Sequence, residues 1–491
     1  MNFASPRALL SLLSLRNGLA VAVVLLIMAP YYLLLGRIQG WSKLPWSEWG
    51  PVLFFTFVQA LLSALSSLLL GFVAALGLLA KRNGFWWAVY LLPNVVPVLF
   101  VLTGALNLLH PFPFGLGGIV LVHTLLNLGL VAVMIREVLL AKVGGMAELA
   151  WTEGASKWRF IWIILPYLKR DLFWAFALVF ALCFTSFTVP LVIGGYQGST
   201  LEVLIYEKVV QEGAWSQAFL LSVLQMALLL VMTLALKGRV TARAVQRQTS
   251  PFLAEKNVRG LPLLASLTVV MGCVWGLAKG YEQFHQLPGL AEVLLTAVRG
   301  TLQVSLGVGF VSLGLLILLA YVLPHVLLSS WLLGYVAPSA VVLGFAFLGW
   351  ASGAKIAAVL ATNVGLALLF LPSLLRMGWM TMLQSLERQK TVAEALGASR
   401  ALIFRWVVWP QIWPFSCFLA GLAALWASGD IAISGILLGG QNTLALVVES
   451  LLGSYRIELA TLVVWLLMGC GGFVLALFWS LRYVADPRSQ N

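Results

Sequence analysis

The chain has 491 residues, 61% of them hydrophobic and 10% charged, with a mean hydropathy of +0.99. That is too many apolar side chains for one water-soluble core and too few charges to solvate its surface, which excludes a soluble enzyme and implies a polytopic membrane protein. The net charge of +13 does not imply nucleic acid, because with a cytoplasmic N-terminus 23 of the 30 basic residues fall on the cytoplasmic side, the bias that orients membrane chains.

About twelve stretches reach the roughly 20 apolar residues a helix needs to cross the hydrocarbon. They lie near 17–36, 52–80, 85–109, 117–138, 171–193, 216–236, 261–279, 293–321, 331–350, 356–375, 411–437 and 458–481. The short alternating strands of a membrane barrel are missing. The expected fold class is therefore all-α, with both termini cytoplasmic. The first stretch has no small-residue cleavage site after it and is read as a retained span.

Between the fourth and fifth stretches the chain turns charged, "ELAWTEGASKWRFIWIILP" from Glu148 to Pro166, and it does so again at "TVAEALGASRALIFRWVVWP" from Thr391 to Pro410. These are two copies of one unit at a period of about 243, as are "LVIGGYQGSTLEVLIYEKV" from Leu191 and "GILLGGQNTLALVVESLL" from Gly435. The chain thus divides into a first half, 1–240, with a loop at 142–166; a basic, polar linker, 241–260; and a second half, 261–491, with a loop at 385–410. Six spans per half return the chain to its starting side, so the repeats run in the same direction. Such repeats place a pathway at their interface and suggest a transporter. On this ground alone, a carrier driven by an ion gradient and one driven by ATP remain open.

Each loop is read as a short helix followed by Gly-Ala-Ser and then an apolar run ending in Pro. Gly154 and Gly397, lacking side chains, would let another protein approach the backbone, and the small residues after them keep the patch shallow. These segments resemble the EAA loop of type I ABC importer permeases, E-A-A-x3-G-x9-I-x-L-P. Glu148, Ala150, Gly154, Ile163, Leu165 and Pro166 match in the first copy, and Ala393, Gly397 and Pro410 in the second. Leu149 replaces an Ala, the first Gly-to-Pro spacing is one residue short, and Thr391, Val407 and Trp409 replace the Glu, Ile and Leu of the pattern.

The resemblance implies a type I ABC importer permease fold with two fused halves, in the bacterial inner membrane. It implies that Glu148, Ala150, Glu153, Gly154, Ala155 and Ser156, with Ala393, Glu394, Gly397, Ala398 and Ser399, couple to a cytoplasmic ATPase, one copy on each loop. It also implies a periplasmic binding protein as second partner, in addition to the membrane lipid around the spans.

No Gly-Lys pair exists for a phosphate-binding loop, and "LLGGQ" from Leu437 to Gln441 is read as a turn rather than a nucleotide signature. ATP and Mg would therefore be held by the partner. The four histidines, His110, His123, His285 and His325, have no metal-ligand spacing, and Cys183, Cys273, Cys417 and Cys470 have no CxxC pairing, so no enzyme, metal centre or disulfide is expected.

"ALCFTSFTVPLVIGGYQGSTLEVLIYEKV" from Ala181, "WASGDIAISGILLGG" from Trp426, "GSYR" from Gly453 and "GGIVLVHTLLNLGL" resemble the thiamine permeases more than the ferric-ion permeases. The expected solute is thiamine or its phosphates, with ferric ion as the alternative. Asp430, the only Asp within an expected span, is a candidate for sensing a cation, because an acid inside the membrane is costly without a purpose, and a carboxylate in the outer vestibule that hydrogen-bonds nearby backbone is the equal alternative. Asn127 and Ser186 are the other candidate pathway residues; interhelical hydrogen bonding accounts equally for Asn107, Asn127 and Asn363.

Overall fold

In the computed structural model the described residues are 15–35, 45–79, 84–109, 111–195, 198–235, 253, 260–284, 289–322, 339–351, 354–440 and 442–483. They form helices and no strand. The linker 241–260 lies outside them except at 253 and 260, as do 331–338 of the ninth expected span and both chain ends.

The first half comprises α1 (Leu15–Leu35), α2 (Trp46–Leu78), α3 (Gly84–Val95), α4 (Val98–Leu108), α5 (Leu116–Lys142), α6 (Gly144–Thr152), α7 (Lys157–Phe184), α8 (Thr188–Ile193), α9 (Leu201–Val210) and α10 (Trp215–Ala235). The second comprises α11 (Gly260–Phe284), α12 (Leu290–Val322), α13 (Ala340–Ala351), α14 (Lys355–Leu374), α15 (Met380–Ser385), α16 (Glu387–Ala395), α17 (Arg400–Ile403), α18 (Trp409–Ser428), α19 (Ala432–Leu437), α20 (Leu444–Gly453) and α21 (Ile457–Leu481). Among the described residues, seven helices are long and apolar enough to cross a membrane, or eight if the bent pair α3–α4 is one span. Length and apolarity alone thus account for seven or eight of the twelve expected crossings.

Helix α2 buries its small and polar side chains and exposes large apolar ones. On α2 the inward face is Thr56, Gln59, Ala60, Ser63, Ala64, Ser67 and Gly71, while Phe54, Phe57, Leu65 and Leu69 are exposed. In water this would be inside out. In lipid it costs nothing, since the tails are as apolar as Leu and the small residues let helices approach closely. Accordingly α2 packs tightly on α5 and α7, and α18 on α12 and α21.

Three expected spans differ from the helices found. The stretch 85–109 is broken, with Val89–Val95 and Val98–Leu108 meeting at 109° where Pro97 precedes α4. The reason is local: proline cannot donate a backbone hydrogen bond and pushes the residue before it out of helical geometry. The stretches 171–193 and 411–437 each end early, α7 at Phe184 and α18 at Ser428, and restart as the short α8 and α19. Asp430 therefore lies at the break between α18 and α19, not inside a spanning helix.

The halves interlock. Helix α1 packs on α12 and α13, and α11 packs on α4. Gly104 and Gly272 bring α4 and α11 so close that a Cβ on Gly272 would collide with the Gly104 carbonyl. Cys273 Sγ donates to Phe100 O at 3.1 Å, Trp465 Nε1 to Cys273 O at 3.0 Å, and Asn107 Nδ2 to Thr461 Oγ1 at 2.7 Å, all around this contact.

Candidate functional site

The two loops share one backbone design. Helix α6 ends in a pair of overlapping hydrogen bonds, Ala155 N to Ala150 O at 2.9 Å and Gly154 N to Trp151 O at 3.1 Å, with Gly154 at φ +73°. Helix α16 ends likewise, Ala398 N to Ala393 O at 3.0 Å and Gly397 N to Glu394 O at 3.0 Å, with Gly397 at φ +81°. This is the Schellman stop, in which a residue in the left-handed region lets the helix's last carbonyls find donors. Ser156 then accepts from Arg159 N and Ser399 from Leu402 N, each at 3.4 Å, starting the next helix.

The glycines thus answer a backbone requirement that the sequence reading did not identify. Among the described residues, chain neighbours aside, no atom lies within 4 Å of a Cβ placed on either, so the constraint is conformational rather than steric.

The loops also agree in what they present. Ala150, Ala155, Ala393 and Ala398 are half-buried, while Glu148, Glu153, Glu394, Ser156 and Ser399 are exposed. Large apolar side chains stand out beside them: Leu149 at 67% exposure and Trp151 at 59% on the first loop, Val392 at 59% and Leu396 at 83% on the second. Each loop is held from behind, by buried Ala147 in one and by Lys390, paired with Glu387 at 2.8 Å, in the other. Lys142 pairs with Asp171 at 2.7 Å, tying the end of α5 to α7.

At the opposite ends of α7 and α18 the two halves meet. The Tyr206 ring of α9 stacks on Phe187, with centroids 4.9 Å apart and planes at 50°. Its hydroxyl lies against Gly435 of α19, where an added Cβ would sit 2.9 Å away. Since the C-terminal ends of the α7 and α18 units converge here, both loops lie on the other side of the bundle. Burial, and after it the carboxylates of Glu449 and Asp430, push the Tyr206 phenol up to about 12.

The three candidate pathway residues separate. Asp430 turns its carboxylate onto the start of α19, accepting from Ser434 N at 2.7 Å and Ile433 N at 3.4 Å, so its charge is engaged by the helix. Ser186 sits half-buried in the turn between α7 and α8. Asn127 lies inside the first half, donating to His123 O at 2.8 Å and Cys183 Sγ at 3.7 Å, next to the contact of Ser63 Oγ with His123 Nδ1 at 3.3 Å. Glu449, which the sequence reading missed, is half-buried and has no ion pair among the described residues. A lone acid in the apolar run "LALVVESLL" was its only signal.

Apolar helices long enough to cross a membrane, carrying two like capped loops on one side, define the class: a multi-pass membrane protein. Within that class the chain is related to the thiamine transport system permease proteins. It is 29% identical to that of Haemophilus influenzae over 219 residues, 39% of this chain and 41% of the relative. It is 29% identical to the Escherichia coli protein over 217 residues, 38% and 40% of the two chains, and 29% identical to that of Brucella suis over 226 residues, 40% and 41%. The match thus spans about two-fifths of the length of these relatives. No protein-family model matches the chain, and no solved structure does.

Proposed function

We propose that this chain is the membrane permease of an ATP-driven importer that receives thiamine or its phosphates from a periplasmic binding protein and releases them to the cytoplasm. The observation that carries the reading is the duplicated loop with its exposed Leu149, Trp151, Val392 and Leu396. A monomer does not gain from offering two matched apolar patches to water on the same side, whereas a pair of docked ATPase subunits would cover both. ATP and Mg belong to those subunits, and the chain itself is not an enzyme. Co-purification of the chain with an ATPase, and thiamine uptake that needs both ATP and the binding protein, test it. Uptake driven by an ion gradient without ATP would replace it with a secondary carrier.

The basic bias supports an orientation with the loops and both termini in the cytoplasm. A cysteine at Ser454 then reacts with an impermeant maleimide on intact spheroplasts, and one at Glu153 only after permeabilisation. The reverse pattern would remove the docking role.

A cationic organic solute is preferred to ferric ion because the relatives are thiamine transport permeases, and the carboxylates of Glu449 and Asp430 beside Tyr206 suit a positive charge. Glu449 is the acid there that neither an ion pair nor a helix start engages among the described residues. Glu449→Gln is expected to lower thiamine uptake at subsaturating substrate about fivefold, the effect of a screened charge interaction of about 1 kcal/mol. Asp430→Asn, which retains the helix cap, is expected to stay near wild type. Equal losses in both variants would return Asp430 to the pathway.

A further inference from the structure

Glu202, in the first turn of α9, is completely buried. Gln225 of α10 donates to one of its carboxylate oxygens. Across the seam the Ser339 hydroxyl and the Val341 N–H, at the start of α13, face the same carboxyl, and α9 packs directly on α13. The other carboxylate oxygen makes no full hydrogen bond, and the Gln225 carbonyl oxygen has no donor. The positions about 243 residues away from Glu202, Gln225 and Ser339 are Ala445, Met468 and Val96, all apolar, so the pair of halves carries this contact once.

We propose that Glu202 is a proton-dependent latch between the two halves, neutral while the seam away from the coupling loops is shut and ionised when the seam parts and water reaches it. The proposal rests on the permease reading only in taking the seam to open and close. A carboxylate shut into a dry interface with no cation is penalised. Protonation removes that penalty and supplies an O–H for the oxygen of Gln225, while Ser339 and Val341 still face the carboxyl.

Helix α9 lies outside the candidate spans, and burial pushes Glu202 up to about 7. In an opened, hydrated seam it returns to the ordinary carboxylate range. The closed form therefore binds more protons than the open form between that range and about 7, so acid favours closure and raising the pH through this window favours parting.

No charged group competes. On α9, Glu207 lies farther along, and Lys208 is engaged by Glu48 of α2 at 2.8 Å and by Glu212 at 2.9 Å. Asp430 and Glu449 act on Tyr206 and not on Glu202. Helices α10, α13 and α19, which pack on α9, carry no charged residue.

The test is the distance between spin labels on Gln211→Cys and Ser454→Cys, both exposed, in the full chain in lipid nanodiscs. In the wild-type background the ratio of long to short distances should rise roughly tenfold or more between pH 5 and pH 8. Glu202→Gln, permanently neutral and the same shape, should hold the short distance throughout. Glu202→Ala, which removes the contact, should favour the long one throughout. A pH response that survives in Glu202→Gln, or a wild-type ratio that does not change with pH, overturns the latch. The measurement needs neither ATPase nor solute, so failure of the importer reading would appear separately, as uptake independent of ATP.

Discussion

Gly154→Val combined with Gly397→Val is expected to abolish solute-stimulated ATP hydrolysis while the membrane bundle stays folded. Both glycines sit at positive φ, where a β-branched residue is a genuine outlier, and forcing it there costs about 1–3 kcal/mol per site. The loop relieves that strain by losing its Schellman bonds, and the Leu149–Trp151 and Val392–Leu396 surfaces then lose their common geometry. Because the loops project from the bundle, size-exclusion behaviour in detergent should be unchanged. Asn substitutions separate conformation from contact, since Asn tolerates the left-handed region yet adds a side chain. With conformation as the cause, the Asn pair should keep ATPase stimulation to within about threefold of wild type, a difference under 1 kcal/mol. Loss in the Asn pair as deep as in the Val pair would show instead that a partner's backbone lies directly over the glycines.

The second large effect is structural. Gly272→Leu should prevent α11 from seating on α4, because even a Cβ there meets the Gly104 backbone carbonyl, which cannot swing aside as a side chain would. Displacing α11 also breaks the Cys273–Phe100 and Trp465–Cys273 hydrogen bonds that join three helices at this point. Overpacking of this kind costs about 3 kcal/mol or more, so the variant should aggregate or show a markedly lower unfolding temperature in detergent. Gly469→Leu is the control: it lies on the exposed face of α21 with no described atom within 4 Å of an added Cβ, and replacing a helical glycine there should be neutral or slightly stabilising. Equal stability of Gly272→Leu and Gly469→Leu would mean that α11 does not pack on α4 as described.

Much of the candidate site was legible in the sequence because its signals are local. Composition alone identifies the solvent, since a chain with 61% hydrophobic residues has no other place to hide them. The two loops were legible as well: a helix stop of Gly, Ala and Ser is written in consecutive residues, and its recurrence about 243 residues later marks it as a unit. What the loop glycines do was not legible, because Gly serves equally for positive φ and for close approach; only the backbone of Gly154 and Gly397 distinguishes the two.

The tertiary structure decided the rest, and for one physical reason. Helices in lipid are all apolar outside, so hydropathy says where a span lies but not which faces meet. It placed Asp430 within a span, whereas the break after Ser428 turns that carboxylate onto the start of α19. It could not bring Glu202 to Ser339, or Tyr206 to Gly435, because those neighbours come from different halves, more than a hundred residues apart in the chain. The class of protein and its two loops are thus set by residues adjacent in sequence. The seam, with Glu202 and Glu449 in it, exists only because α9 packs across onto α13 and α19 of the other half and brings distant side chains together.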